Sequence, residues 1–256
     1  IDLKFLYVEK AYIYLLDKLS KDQKKNSYTG IIIDDFQRKN NYIKHYPFLK
    51  NLKKKSVINW TERYLQNIPS TLINNYSENL FEQNINNSSE IRLKRISDII
   101  FSMILLIISS PFILISALII KLQDGGPVFY SQIRTGIYGK KFKILKLRSM
   151  RTNSENDGAQ WSNKDDPRVT KFGRFLRKSR IDELPQLFSV ISGEMSLIGP
   201  RPERPEIEKQ LIKEISNYEL RNKIKPGISG WAQVNYPYGA SIKDSKIKLS
   251  YDLFYI

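Results

Sequence analysis

The sequence contains no cysteine, which excludes a disulfide framework, a thiolate metal site and a cysteine nucleophile. A single histidine, His45, rules out a histidine-based triad or a multi-histidine metal site, so any metal must be held by oxygen. Acidic residues are also scarce: 26 aspartates and glutamates face 42 lysines and arginines, a formal charge of +16 over 256 residues. That excess favours anionic partners, whether nucleic acid, phosphorylated small molecules or an anionic membrane surface. The basic residues are spread along the chain, with clusters at 50–55 and 171–180, and form neither a tail nor one stripe. This distribution argues against a dedicated nucleic-acid module, and no nucleic-acid partner is expected. A basic-then-apolar leader with a cleavage site is missing, and the chain stops in Asp252-Leu253-Phe254-Tyr255-Ile256 without a polar tail. A fragment is expected at both ends.

The spacing of Leu3, Leu6, Tyr7, Ala11, Tyr14, Leu15 and Leu19 predicts an amphipathic helix over residues 2–19. Tyr28-Thr29-Gly30-Ile31-Ile32-Ile33-Asp34-Asp35 reads as a short buried strand closing on two aspartates. The Asp34-Asp35 pair suits a turn better than a metal or ribose site, and His45 reads as an ordinary loop residue. Helix followed by strand suggests a partial α/β region over residues 1–90. It ends in an asparagine- and serine-rich linker from Asn74 to Ser89.

The next segment is different in kind. Residues 99–120 carry no charge over 22 positions, fifteen of them Ile, Leu or Phe. Those side chains favour insertion into a membrane by about 5 to 9 kcal/mol in total. A soluble core helix is the alternative, but 22 uncharged residues reach the length of a membrane span. Near the middle sits Ser109-Ser110-Pro111, where proline removes a backbone hydrogen bond and serine hydroxyls can satisfy freed carbonyls. If Ser110 and Pro111 mark a sharp break, each arm of about 11 residues covers roughly 17 Å of a hydrocarbon core of about 30 Å. Lys94 and Arg95 at one end and Lys121 at the other give no reason to translocate either flank. A re-entrant hairpin over residues 91–123 is therefore favoured over a straight span.

Beyond Gly125-Gly126-Pro127, residues 128–133 and 143–147 are strand-like and flank a glycine-punctuated basic turn, which predicts a small β-hairpin. Trp161 in the polar stretch 151–170 suits anchoring at a headgroup region. Ser179-Arg180-Ile181-Asp182-Glu183-Leu184-Pro185-Gln186-Leu187 then sets adjacent carboxylates among basic residues where a helix is expected to begin. Asp182 is well placed as an N-cap, with Glu183 in the first turn, and capping alone explains the pair. The alternative is chemical. A helix N-terminus flanked by Arg177 and Arg180 suits phosphate, and a carboxylate there can meet phosphorus. Attack of one anion on another needs charge neutralisation, so Mg2+ held partly by carboxylate is the natural companion. Adjacent helical residues diverge by about 100°, so one carboxylate attacks while the other binds metal. In Gly199-Pro200-Arg201-Pro202-Glu203-Arg204-Pro205 the prolines stiffen a turn presenting Arg201, either as a phosphate clamp or as plain structure. Trp231 and Gln233 could face a nucleotide base, or Trp231 could be core.

Together these residues resemble the bacterial sugar transferases that act on polyprenyl phosphate, the monotopic phosphoglycosyl transferases. The resemblance runs from Lys94-Arg95 with Asp98, through Ser110-Pro111, Gly126-Pro127-Val128-Phe129 and Lys146-Leu147-Arg148-Ser149-Met150, to Asp182-Glu183-Leu184-Pro185-Gln186-Leu187. It continues in Gly193-Glu194-Met195-Ser196, Gly199-Pro200-Arg201-Pro202-Glu203 and Pro226-Gly227-Ile228-Ser229-Gly230-Trp231-Ala232-Gln233. It implies an α+β, mainly helical protein: the re-entrant membrane hairpin, then a compact cytoplasmic catalytic domain over 124–256 at the bacterial inner membrane. By the resemblance Asp182 attacks the sugar-bearing phosphate of a UDP-sugar and releases UMP, and polyprenyl phosphate then takes the phosphosugar. Glu183 would help to hold Mg2+, and Arg177 and Arg201 would contact phosphate. The competing expectation is a non-enzymatic basic membrane scaffold, which needs neither the dyad nor Arg201. Neither the sugar nor the oligomeric state is legible in the sequence.

Overall fold

Short apolar runs are ambiguous between helix and buried strand until something pairs with them. In the computed structural model, which describes residues 5–8, 30–33, 53–73, 88–152, 166–237, 239 and 241–256, the chain divides into two compact units, Ile1–Phe81 and Glu82–Ile256. In the first, strands β1 (Phe5–Val8), β2 (Gly30–Ile33) and β3 (Lys53–Ser56) lie side by side in that order, all parallel. β2 is the strand expected after Gly30. β1 corrects the helix expected over residues 2–19: Phe5-Leu6-Tyr7-Val8 is a four-residue apolar run, and pairing Leu6 opposite Ile31 settles it as strand. Helix α1 (Val57–Leu65) follows, with the Trp60 and Tyr64 rings 5.7 Å apart one turn on. Asp34, Asp35, His45, Trp161 and the asparagine-rich stretch up to residue 87 lie outside the described residues.

The second unit opens with α2 (Ser88–Asp124), 37 residues that contain the whole apolar run. A hairpin comes next, β4 (Phe129–Thr135) antiparallel to β5 (Lys141–Leu147), as the two apolar runs and their glycine turn predict. Then come α3 (Lys171–Ser179), a 3-10 helix over Ile181–Gln186, α4 (Leu187–Ser192) and β6 (Ser196–Ile198). The chain closes with α5 (Pro205–Glu214), a 3-10 helix over Tyr218–Lys223, β7 (Gly227–Ser229) parallel to β6, α6 (Trp231–Asn235) and α7 (Ile242–Tyr255).

Ser110 and Pro111, where a break is expected, lie inside α2, which is one helical element from Ser88 to Asp124. The side chains explain why. Pro111 has no N–H to offer the carbonyl four residues back, that of Ile107, and the Ser110 hydroxyl donates to that carbonyl at 2.8 Å. Most of α2 is left uncovered: an apolar 18-residue window within it is only 17% buried, and Phe101, Ile107, Phe112 and Leu114 are exposed. By length and composition this helix can cross a membrane.

Among the described residues, two small apolar clusters pack on the two faces of β5. Phe142 and Ile144 pack with Val190 and Met195, and Leu197 and Ile228 lie against them. Leu147, on the opposite face by strand alternation, packs with Ile120 of α2 and Leu176 of α3. The N-terminal part of α2 is tied down separately. Arg95 donates to the carbonyls of Val190 and Ile191 at 2.5 and 2.8 Å, at the C-terminal end of α4. Asp98 accepts from the Ser196 hydroxyl at 2.8 Å and the Leu197 amide at 3.2 Å.

α3 starts at a Thr170 cap whose hydroxyl accepts from the Gly173 amide, and it reaches β5's continuation through that glycine. A Cβ on Gly173 would sit 1.9 Å from the Ser149 carbonyl oxygen, a backbone atom that cannot step aside cheaply. Gly173→Ala is thus expected to destabilise by about 1–3 kcal/mol, a fall in melting temperature of about 2–12 °C. Helix propensity alone favours alanine, so a rise in melting temperature by calorimetry would refute this contact.

Candidate active site

The carboxylate pair is placed by a sharp turn. α3 ends at Arg180, whose backbone is left-handed at φ 60°, and the chain re-enters helix at once in the 3-10 turn Ile181–Gln186. Asp182 therefore does not cap this helix: Arg180 holds the cap position, and no side chain makes a capping bond there. Asp182 and Glu183 are successive residues of a tight turn, both only 6% exposed, and their surroundings differ completely.

Glu183 is saturated with positive charge. Lys146 of β5 donates to Oε1 at 2.8 Å, Arg201 donates to Oε1 at 2.6 Å and Oε2 at 3.3 Å, and Arg180 lies 3.7 Å away. Burial alone would raise its pKa, but Arg201 and Lys146 hold the carboxyl well below the usual range. Lys146 is pulled down to about 8 by burial, with Glu183 pushing the other way. Asp182 has no such support: its Oδ1 is buried and makes no hydrogen bond among the described residues, and burial raises its carboxyl above the ordinary value against the pull of Lys146. An orphaned carboxylate oxygen is costly in a fold, and it is what an attacking group needs.

Both carboxylates open onto a cavity of about 520 Å3 whose wall also carries Arg177, Arg180, Arg201 and Lys248. Arg177 is steadied by donating from Nε to the Ser149 hydroxyl at 2.9 Å. Arg201 leaves a turn pinned on both sides, where the Gly199 amide donates to Ser229 O and the Gly227 amide to Pro200 O, each at 2.9 Å. Glycine is required at 227, since a Cβ there would meet the Gly199 nitrogen at 2.1 Å. The cavity thus pairs an unsatisfied carboxylate with fixed cations, an arrangement suited to a phosphorylated substrate.

The sequence over residues 89–256 matches the family described as bacterial sugar transferase. The chain belongs to the bacterial sugar transferase family. Among its relatives is a protein of Aeromonas hydrophila named UDP-N-acetylgalactosamine-undecaprenyl-phosphate N-acetylgalactosaminephosphotransferase. It is 48% identical over 64% of this chain and 39% of the relative. A Klebsiella pneumoniae UDP-glucose:undecaprenyl-phosphate glucose-1-phosphate transferase is 41% identical over 69% of this chain and 38% of the relative. A putative undecaprenyl-phosphate N-acetylgalactosaminyl 1-phosphate transferase of Bacillus subtilis is 50% identical over 50% of this chain and 72% of the relative. Aligned segments thus cover less than two fifths of the first two relatives' lengths.

Within this family member, the residues singled out by sequence divide cleanly. Asp182, Glu183, Arg177 and Arg201 share the cavity wall, and Gln233 joins them, donating to Ile228 O at 3.2 Å. Trp231 does not line the cavity; it packs on Phe254, with ring centroids 5.7 Å apart. Ser110 and Pro111 belong to α2. Glu183, expected as a metal ligand, is engaged by cations: Oε1 accepts from Lys146 and Arg201, and Oε2 from Arg201 at 3.3 Å. Among the described residues no cluster of three or more acidic or histidine side chains forms a cage for an ion. Lys146 opens one of the motifs, which assign it no site role, although a signal exists: strand alternation puts it in the same row as Phe142 and Ile144, where an uncommitted lysine does not belong. Arg221 and Asp252 escape sequence reasoning as well, and no local pattern marks them.

Proposed function

We propose that the chain is the catalytic part of an enzyme that moves a sugar-1-phosphate from a UDP-sugar to undecaprenyl phosphate. The observation that carries this reading is Asp182: a buried carboxylate in the wall of a cationic cavity, one oxygen of which has no partner among the described residues, beside a glutamate locked by Lys146 and Arg201. The names of the relatives, given for UDP-sugars and undecaprenyl phosphate, support the substrate class. They differ in the sugar, so the sugar stays open. A scaffold gains nothing from an orphaned buried carboxylate, which counts against the non-enzymatic reading.

In this reading the reaction has two displacements. Asp182 attacks the sugar-bearing phosphorus; an aspartyl O–P bond forms, the bond to the α-phosphate oxygen breaks, and UMP leaves with the electron pair. An oxygen of undecaprenyl phosphate then attacks the same phosphorus, breaks the aspartyl bond and frees the carboxylate. Arg177 and Arg201 neutralise the phosphate oxygens, and the Lys146–Glu183 pair holds the wall beside Asp182 rigid. A magnesium ion would be held chiefly by the diphosphate and water and would neutralise phosphate charge, with Glu183 already engaged by Lys146 and Arg201.

The substrates meet at the inner face of the bacterial cytoplasmic membrane, with α2 re-entrant. Support comes from its two anchor points. A straight helix from Asp98 to Ile120 would rise about 33 Å. Yet Asp98 grips Leu197 beside the Ile144 core, Ile120 sits in the Leu147 core, and Ile144 and Leu147 are three strand residues, about 10 Å, apart. A bend at Pro111 reconciles these spans. Cysteine accessibility at both flanks of α2 should report the same side of the membrane, and opposite sides would refute re-entry. For the reaction, a panel of UDP-sugars with undecaprenyl phosphate and magnesium in detergent should release UMP with at least one sugar. No release with any sugar from folded protein would refute it.

A further inference from the structure

Arg201 can serve a phosphate only if its backbone is held, and what holds it is a second, hidden arginine. Arg221, on the 3-10 helix Tyr218–Lys223, is 5% exposed and spends its guanidinium on three different neighbours. Nη2 donates to the backbone carbonyl of Arg201 at 2.7 Å, Nη1 to the Tyr218 hydroxyl at 2.9 Å, and Nε to Asp252 Oδ2 at 3.0 Å. Asp252 lies on α7 and is 2% exposed, and the pair stands, largely buried, in the wall of the same cavity. The neighbouring carbonyl of the same turn, that of Pro202, is held by Arg134 of β4, which donates from Nη1 at 3.1 Å. Two interior arginines thus grip successive carbonyls of the segment that presents Arg201.

A buried ion pair is a poor device for stability, since apolar residues of similar volume commonly do as well or better. What it does supply is direction. The planar guanidinium fork fixes three bonds at once, and a lysine ammonium cannot reproduce that geometry. Removing the Arg221 bond would free the Arg201 carbonyl, and with it the angle at which the Arg201 side chain enters the cavity.

We propose that Arg221, braced by Asp252 and Tyr218, is a positioning residue that acts through Arg201 and sets its aim at the diphosphate of the donor. This rests on the proposed function only in taking a diphosphate as the ligand of Arg201. Arg221 stands in the cavity wall, but its guanidinium is already committed to Asp252, Tyr218 and the Arg201 carbonyl. Its contribution is therefore to be found inside that of Arg201.

The test is a double-mutant cycle read as UDP affinity by calorimetry on the full chain, with UMP release measured in parallel. Arg221→Met combined with Asp252→Leu removes the pair without stranding a buried charge, and its folding is checked by melting temperature. Arg201→Ala should weaken UDP binding on the order of 10-fold or more in the parent, yet by less than about 3-fold in the background that lacks the pair, because residues acting as a unit are not additive. Arg221→Lys should fall with the pair variant and not with the parent. Equal losses in both backgrounds would make the pair merely structural and overturn the proposal. A parent that does not bind UDP would overturn it too, by removing the diphosphate from Arg201. A parent that binds UDP but releases no UMP from any UDP-sugar would refute the transferase reading alone, and the cycle would still decide the role of Arg221.

Discussion

Replacing Asp182 with asparagine is expected to lower sugar-phosphate transfer on the order of 10^4-fold or more and, at the same time, to raise the melting temperature by a few degrees. The loss follows from removing the attacking oxygen, since a missing nucleophile is not compensated by binding groups that remain. The gain follows from the sign of the pKa shift. Burial raises the folded-state pKa of Asp182 above its unfolded value, so the fold favours the neutral form and the shift costs stability at pH values above the unfolded pKa. An amide of the same shape removes that penalty, the exchange of stability for activity that functional sites commonly show. Purified variant and parent, compared by UMP release and calorimetry, test both halves. A variant that loses activity and also melts lower would mean that Asp182 was structural.

Lys146→Met should act in the opposite sense on stability. It leaves Glu183, only 8% exposed in its side chain, with Arg201 and Arg180 but without its partner from the strand. Breaking one side of such a buried pair costs about 3 kcal/mol, or about 6–12 °C in melting temperature for a domain of this size. Transfer should fall as well, because Arg201 is drawn more firmly onto Glu183 and away from phosphate. Adding Glu183→Leu removes the stranded charge and should return most of the stability while activity stays lost. If the double variant recovers transfer, the pair is only structural.

These two residues also mark how far the sequence can be read. Asp182, Glu183, Arg177 and Arg201 stand in short motifs whose chemistry is local, and they meet in one cavity. The capping role expected of Asp182 fails because the left-handed Arg180 shifts the helix start by two residues, a backbone detail that composition does not carry. Lys146 is legible in principle, as a charge in an apolar row, but its reason for being there lies 37 residues away. Arg221 and Asp252, 31 residues apart, become partners only when α7 packs home. The β-hairpin is plain from alternation and glycines, whereas β1 is not, because four apolar residues carry no period and only the neighbouring strand decides. At Pro111 the proline does remove a backbone hydrogen bond, and the serine before it supplies another to the same carbonyl without breaking the helix.

A covalent sugar-phosphate on Asp182 is the centre of this mechanism, and intact-protein mass measured after incubation with a UDP-sugar in the absence of acceptor tests it most directly. The mass should rise by one sugar-phosphate, return to its starting value when undecaprenyl phosphate is added, and not change at all in Asp182→Asn. An adduct that forms equally on Asp182→Asn, or UMP release that proceeds with acceptor but never with an adduct, would contradict it.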